Sequence, residues 1–188
     1  GDGSSGGGTP STTAQPEVSI GELELTVGGV IPANAGPAVP VPPELAPAVL
    51  ASVATYVDGG LIQPIREGEV APDVAAVFEA GAAAQLEGPD RGALFDEGLP
   101  EVTTAFTPTA QPVTITALSD GTGTFVIATA LLQYVAELGV ADGTLTVTRT
   151  AELTMIPEAE GWRITSYDVV VTRDGPGIAP TTTTVASA

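Results

Sequence analysis

The 188-residue chain sets 23 acidic residues against five basic ones, for a formal net charge of −18, and contains no histidine and no cysteine. All five bases are arginines, Arg66, Arg91, Arg149, Arg163 and Arg173, and there is no lysine. These counts exclude thiol and imidazole catalysis, disulfides, Cys/His zinc sites, haem held by histidine, iron–sulfur clusters and Schiff-base chemistry, and so acidic a chain repels nucleic-acid phosphates and anionic lipid heads.

The length suits one domain with a real core, and because aromatics make up only 4% the core has to be built from Val, Ala, Leu and Ile. Residues 1–16 belong to a Gly/Ser/Thr/Pro tract, "GDGSSGGGTPSTTAQP", which reads as a flexible linker. Such a tract resembles the stretch behind the lipid-bearing cysteine of bacterial lipoproteins and points to an exported chain whose signal has been removed. That cysteine is not in this chain, so the tract permits a lipid anchor without showing one. No uninterrupted apolar run reaches the roughly 18 residues of a membrane span, so no transmembrane segment is expected.

Residues 17–42 read as a strand-like arm and a Pro-rich connector. In "EVSIGELELTVGGVIP", Leu23, Leu25 and Val27 alternate on one face and Val18 and Ile20 on the other, with Gly21 placed for a bulge. The arm, residues 17–31, can pair with its own sheet or with a neighbour's. From Glu44 the period becomes helical: Leu45, Val49, Val53, Val57 and Leu61 recur every four residues. Gly59 and Gly60 weaken the middle of that helix and Pro64 ends or kinks it, so its second half is expected to fray or bend. "APDVAAVFEAGAAAQLEG" (71–88) predicts a second helix, opened by Pro72 and stopped by Gly88, and "PDRGALFDEG" (89–98) a short third one.

Four antiparallel strands follow, over residues 112–118, 123–138, 143–156 and 161–173, separated by the turn sequences "SDGTG", "GVADG" and "PEAEG". The third strand is the cleanest, with Leu145, Val147, Ala151, Leu153 and Met155 on one face and threonines on the other. In the fourth, Trp162 and Ile164 fall on even positions but Tyr167, Val169 and Val171 on odd ones, which requires a bulge near Thr165 and Ser166. Residues 175–188 read as a flexible C-terminal tail.

Helices followed by a bent antiparallel sheet whose last strand runs "GWRITSYDVVV" resemble the cone-shaped α+β fold of the nuclear-transport-factor-like, or cystatin-like, superfamily. The likeness covers about residues 44–174 and rests on Gly161, Trp162, Arg163 and Ile164, which match a closing strand common there. It implies an α+β fold, a cone-shaped domain over residues 43–174, with N-terminal helices packed in the concave face of a sheet of at least four strands, plus the arm. The overall tone is similar to secreted or lipid-anchored envelope members of that group with no assigned activity. The superfamily spans isomerases, polyketide cyclases, dehydratases and non-catalytic binding modules, so the fold leaves function open. The His/Asp pair of its dehydratases is missing. Tyr56, Tyr134, Tyr167, Asp58, Asp96 and Asp168 offer the residue types of its isomerases at no identifiable spacing.

Arg149 alone breaks the apolar face of the third strand, so it either holds an anionic ligand at a pocket mouth, snorkels past the sheet edge, or pairs with Asp96 or Glu97. Trp162 and Tyr167 either stack on a ligand or fill the core. Asp58 and Asp168 could act as bases if buried, or sit in turns and solvent. No catalytic residue, metal ligand or cofactor is assigned; "DGTGT" from Asp120 lacks the ligand spacing of a calcium loop. Two functions remain in view: an exported non-catalytic envelope or extracellular domain acting by contact with a protein partner or with itself, through the sheet face or the arm at residues 17–31, and a small-molecule binder or isomerase/cyclase-like enzyme with an apolar pocket inside the cone.

Overall fold

The computed structural model describes residues 18–34 and 38–187; the linker predicted over 1–16 lies outside them. The protein is α+β, with a large open mixed sheet of eight described strands and a few helices. The strands are β1 (Ser19–Ile20), β2 (Val27–Ala33), β3 (Ala105–Ala110), β4 (Val113–Ser119), β5 (Phe125–Val140), β6 (Gly143–Glu158), β7 (Gly161–Asp174) and β8 (Thr181–Ala186). β3 and β4 both pair antiparallel with β5, end to end, and β5, β6, β7 and β8 follow in antiparallel order.

The four predicted strands are β4 to β7, and the sequence reading missed two more. β3 was hidden because Pro108 breaks the strand signature. Its missing N–H is tolerated beside the arm, whose ladder with β3 stops at Ile20↔Phe106. β8 corrects the predicted flexible tail: its four threonines gain a hydrogen-bonding template from β7, which composition alone cannot reveal. The arm lies in its own sheet, β1 parallel to β3 and β2 parallel to β4, with Gly21 N donating to Phe106 O at 2.7 Å and Val113 N to Thr26 O at 2.7 Å.

The predicted face switch in β7 is present. Thr154 faces Ser166 and Met155 faces Ile164, so Thr165 has no opposite number. That one extra residue turns Trp162 and Ile164 on one side of it, and Tyr167, Val169 and Val171 on the other, into the same buried core.

The first helix runs without fraying, as α1 (Leu45–Tyr56), a π-helical segment (Val57–Ile62) and α2 (Gln63–Glu67). Its glycines are required by close packing. A Cβ on Gly59 would run into Val74 Cγ2 and lie 2.8 Å from Ala71 Cβ, and one on Gly60 would lie 2.9 Å from the Phe95 ring. Pro64 lies inside this continuous helix, and the carbonyls one turn back are met from elsewhere: Gly59 O accepts from Ala71 N at 2.9 Å and Gly60 O from Asp96 N at 3.2 Å. Leu45–Glu67 is long and apolar enough by length and composition to cross a membrane, and 56% of its apolar 18-residue window is buried within the protein.

The predicted second helix is broken. Val74–Val77 form a 3₁₀ turn, Phe78 is extended and bridges Ile164, and α3 is only Ala80–Ala83. Tertiary contacts decide this: the Phe78 ring meets Tyr56 edge-on at 6.0 Å, and Glu79 N donates to Ile164 O at 2.9 Å. The short third helix, α4 (Arg91–Leu94), forms as expected. One core gathers the apolar faces of these helices with the inward residues of β3 to β7.

Candidate functional site

The polar centre of the molecule forms where α4 ends inside the protein. A helix leaves its last carbonyls without partners, and burying them unpaired is costly. Here other elements supply every donor. Arg173 donates to Gly92 O at 2.8 Å and Phe95 O at 3.1 Å, Arg149 donates to Ala93 O, and Tyr56 Oη donates to Leu94 O at 2.7 Å. Both guanidinium groups also meet Asp96 Oδ1, at 2.6 Å from Arg149 and 3.0 Å from Arg173. Arg163 repeats the device by donating to Ala76 O in the 3₁₀ turn while pairing with Glu158 at 3.1 Å. Three of five arginines therefore fasten short helical pieces to the sheet.

The Arg149 side chain is 0% exposed. Burial is the strongest single influence and opposes its charge, but the charge and hydrogen bond of Asp96 together with Tyr56 and Tyr134 more than offset it and raise its pKa above the ordinary arginine value. Burial pushes the hydroxyls of Tyr56 and Tyr134 upward, with the Arg149 charge opposing the rise and the Asp96 charge adding to it. Asp96 Oδ2, Tyr134 Oη, Arg149 Nε and Arg173 Nε are buried without a protein partner.

The sequence-predicted residues do not converge. Arg149 stands opposite Val171, Tyr167 opposite Leu153 and Trp162 opposite Pro157, so they are strung along β6 and β7 at four-residue steps, about 13 Å each. The Trp162 ring is in the core, and its carbonyl accepts from Ser52 Oγ at 2.5 Å. Tyr167 donates to Asp90 Oδ2 at 2.9 Å, and burial followed by that contact pushes its pKa up to about 12. Asp168 is exposed, opposite Glu152. Sequence reasoning missed Arg173, although its odd position continues the buried series of Tyr167, Val169 and Val171 and marks a second charge on the inner face.

Open space lies outside this cluster. A groove of about 510 Å³ runs between the arm (Ile20, Gly21, Glu22, Leu23) and the helix residues Asp58, Ile62, Gln63, Arg66 and Glu67. Partial burial raises the Asp58 pKa. A smaller depression of about 200 Å³ continues past Ile20 and Arg66 to Ile65, Glu101 and Phe106. Another, of about 230 Å³, borders Arg149 and Tyr134, but its other lining residues, among them Thr109, Gln133, Thr148 and Thr150, face away from the core. With both side chains fully buried on the opposite face, only their backbone reaches it. Among the described residues no cluster of three or more carboxylates is arranged to hold a metal ion. Comparison with protein-family models, curated proteins and solved structures gives no match.

Proposed function

We propose that this chain is an exported, non-catalytic domain of the cell envelope or extracellular space that works by contact with a protein partner, through the arm and the groove beneath it. On this reading it is a cone-shaped member of the nuclear-transport-factor-like superfamily, with helices seated in the concave face of a coiled sheet. The supporting observation is the fate of Arg149. Its two amino groups are occupied by Asp96 and Ala93, within a core of Val, Leu and Phe side chains where a ligand would otherwise sit.

The groove is lined by Ile20, Leu23 and Ile62 together with Glu22, Asp58 and Glu67 and the single base Arg66. On a chain of net charge −18 such a lining favours a partner segment that is apolar and cationic. A short Lys/Leu peptide serves as the probe in calorimetric titration. Glu22→Lys with Asp58→Lys weakens its binding about tenfold more than Glu152→Lys with Asp168→Lys, a pair on the outer sheet face that changes net charge equally. Equal losses in the two variants reject the groove. Recovery of the protein with cytoplasm rather than with envelope or medium on fractionation rejects export.

A second reading, an isomerase- or cyclase-like site inside the cone, draws on the unpartnered Tyr134 Oη and Asp96 Oδ2, which are proton-transfer groups in a water-poor place. It requires the core to open. A planar apolar ketone that binds the parent protein and loses affinity in Tyr134→Phe supports it, and no binding removes it.

A further inference from the structure

The described sheet has two rims with backbone groups left open, the arm and β8, and they differ in how they are guarded. β2 slips register between Val27 and Gly29 and carries Pro32, and a bulge and a proline are devices that blunt a strand edge against further pairing. β8 has neither. It pairs with β7 in unbroken register from Thr181↔Arg173 to Ala186↔Asp168, and every residue in it except Val185 is exposed.

The bond from Ser187 N to Tyr167 O, at 3.0 Å, sets the phase of the ladder. Antiparallel neighbours alternate between pairs that exchange hydrogen bonds and pairs that do not. Ser187, Val185, Thr183 and Thr181 thus turn their backbone groups toward β7, and Thr182, Thr184 and Ala186 turn theirs outward. Charge selects the occupant. Residues 175–188 contain no Asp, Glu, Lys or Arg in a chain of net charge −18, so this is a place where two copies approach without bringing acidic side chains together.

We propose that β8 is a homodimer edge: β8 of one copy pairs antiparallel with β8 of a second about a two-fold axis at Thr184, joining the two sheets into one. Thr182 of each protomer then meets Ala186 of the other, and Thr184 meets its own copy, with on the order of six backbone hydrogen bonds across the axis. This inference is independent of the groove, which lies on the arm side of the sheet, and a dimer presents two such grooves.

Sedimentation velocity over a concentration series tests it. The parent protein shifts from monomer to dimer as concentration rises, and the dimer is about tenfold tighter in about 1 M salt than in about 20 mM, because salt screens the repulsion between two acidic bodies. Thr184→Pro removes an outward N–H, leaves the β7 ladder intact and keeps the parent's circular dichroism, yet stays monomeric. Ile31→Lys on the arm leaves the dimer unchanged. Amide exchange at Thr182 and Ala186 slows with concentration in the parent and not in Thr184→Pro. A parent monomeric at every concentration and salt, a dimer that persists in Thr184→Pro, or a dimer lost in Ile31→Lys overturns the proposal.

Discussion

Raising the pH singles out three residues. With no His, Cys or Lys, the side chains that titrate between the carboxylates and arginine are Tyr56, Tyr134 and Tyr167. All three are buried, and burial raises each above 10.0, Tyr167 to about 12. A pKa raised by folding means that the folded state holds the proton more tightly. The stability it contributes is therefore complete below the unfolded value and is lost as pH rises from 10 toward the folded value. At about pH 11 the unfolded chain has released most of its tyrosine protons while folded Tyr134 and Tyr167 keep nearly all of theirs, a loss of roughly 3 kcal/mol for these two, and Tyr56 acts in the same direction. That is a large part of the 5–15 kcal/mol or so typical of a domain. Urea unfolding followed by circular dichroism is expected to give a flat stability from about pH 6 to 9 and a steep fall above 10, with tyrosinate absorbance appearing only as the protein unfolds. Tyrosinate that forms near pH 10 in the still-folded protein, or stability that declines between pH 7 and 9, refutes the reasoning.

Four substitutions probe the interior. Asp96→Ala strands the buried guanidinium of Arg149 and costs about 3–5 kcal/mol in denaturant unfolding; a loss under 1 kcal/mol means that water already compensates the charge. Tyr134→Phe deletes a buried hydroxyl with no protein partner, so stability at neutral pH is unchanged or rises by about 1 kcal/mol, whereas Tyr56→Phe abandons the Leu94 carbonyl and costs about 1–2 kcal/mol. Gly59→Ala gains about 1 kcal/mol of helix propensity but drives a methyl into Val74 and Ala71. Since overpacking costs about 1–3 kcal/mol, the midpoint falls; a rise shows that the π-helical segment yields freely.

How much could be read in advance depended on how local each determinant is. Alternation in "TLTVTRTAELTMI" and the broken parity around Thr165 are written into neighbouring residues, because side chains on a strand alternate whatever the strand packs against. The strands β4 to β7, the bulge and the burial of Trp162 and Tyr167 were therefore legible. So was the rule-breaking Arg149 and the pair of carboxylates from which its partner came.

Phe78 had to be extended because Tyr56 and Ile164, far away in the chain, offered it a ring edge and a backbone bridge that no helix period reports. Threonines at 181–184 became a strand only because β7 supplied a ladder. Gly59 and Gly60 read as weakness until Ala71, Val74 and Phe95 came close enough to need the space. Composition by itself determined the missing chemistries and the negative field, since these follow from which side chains exist. The tertiary structure decided that the arginines cap buried helix ends, because an unpaired carbonyl selects its donor by distance in space and not along the chain.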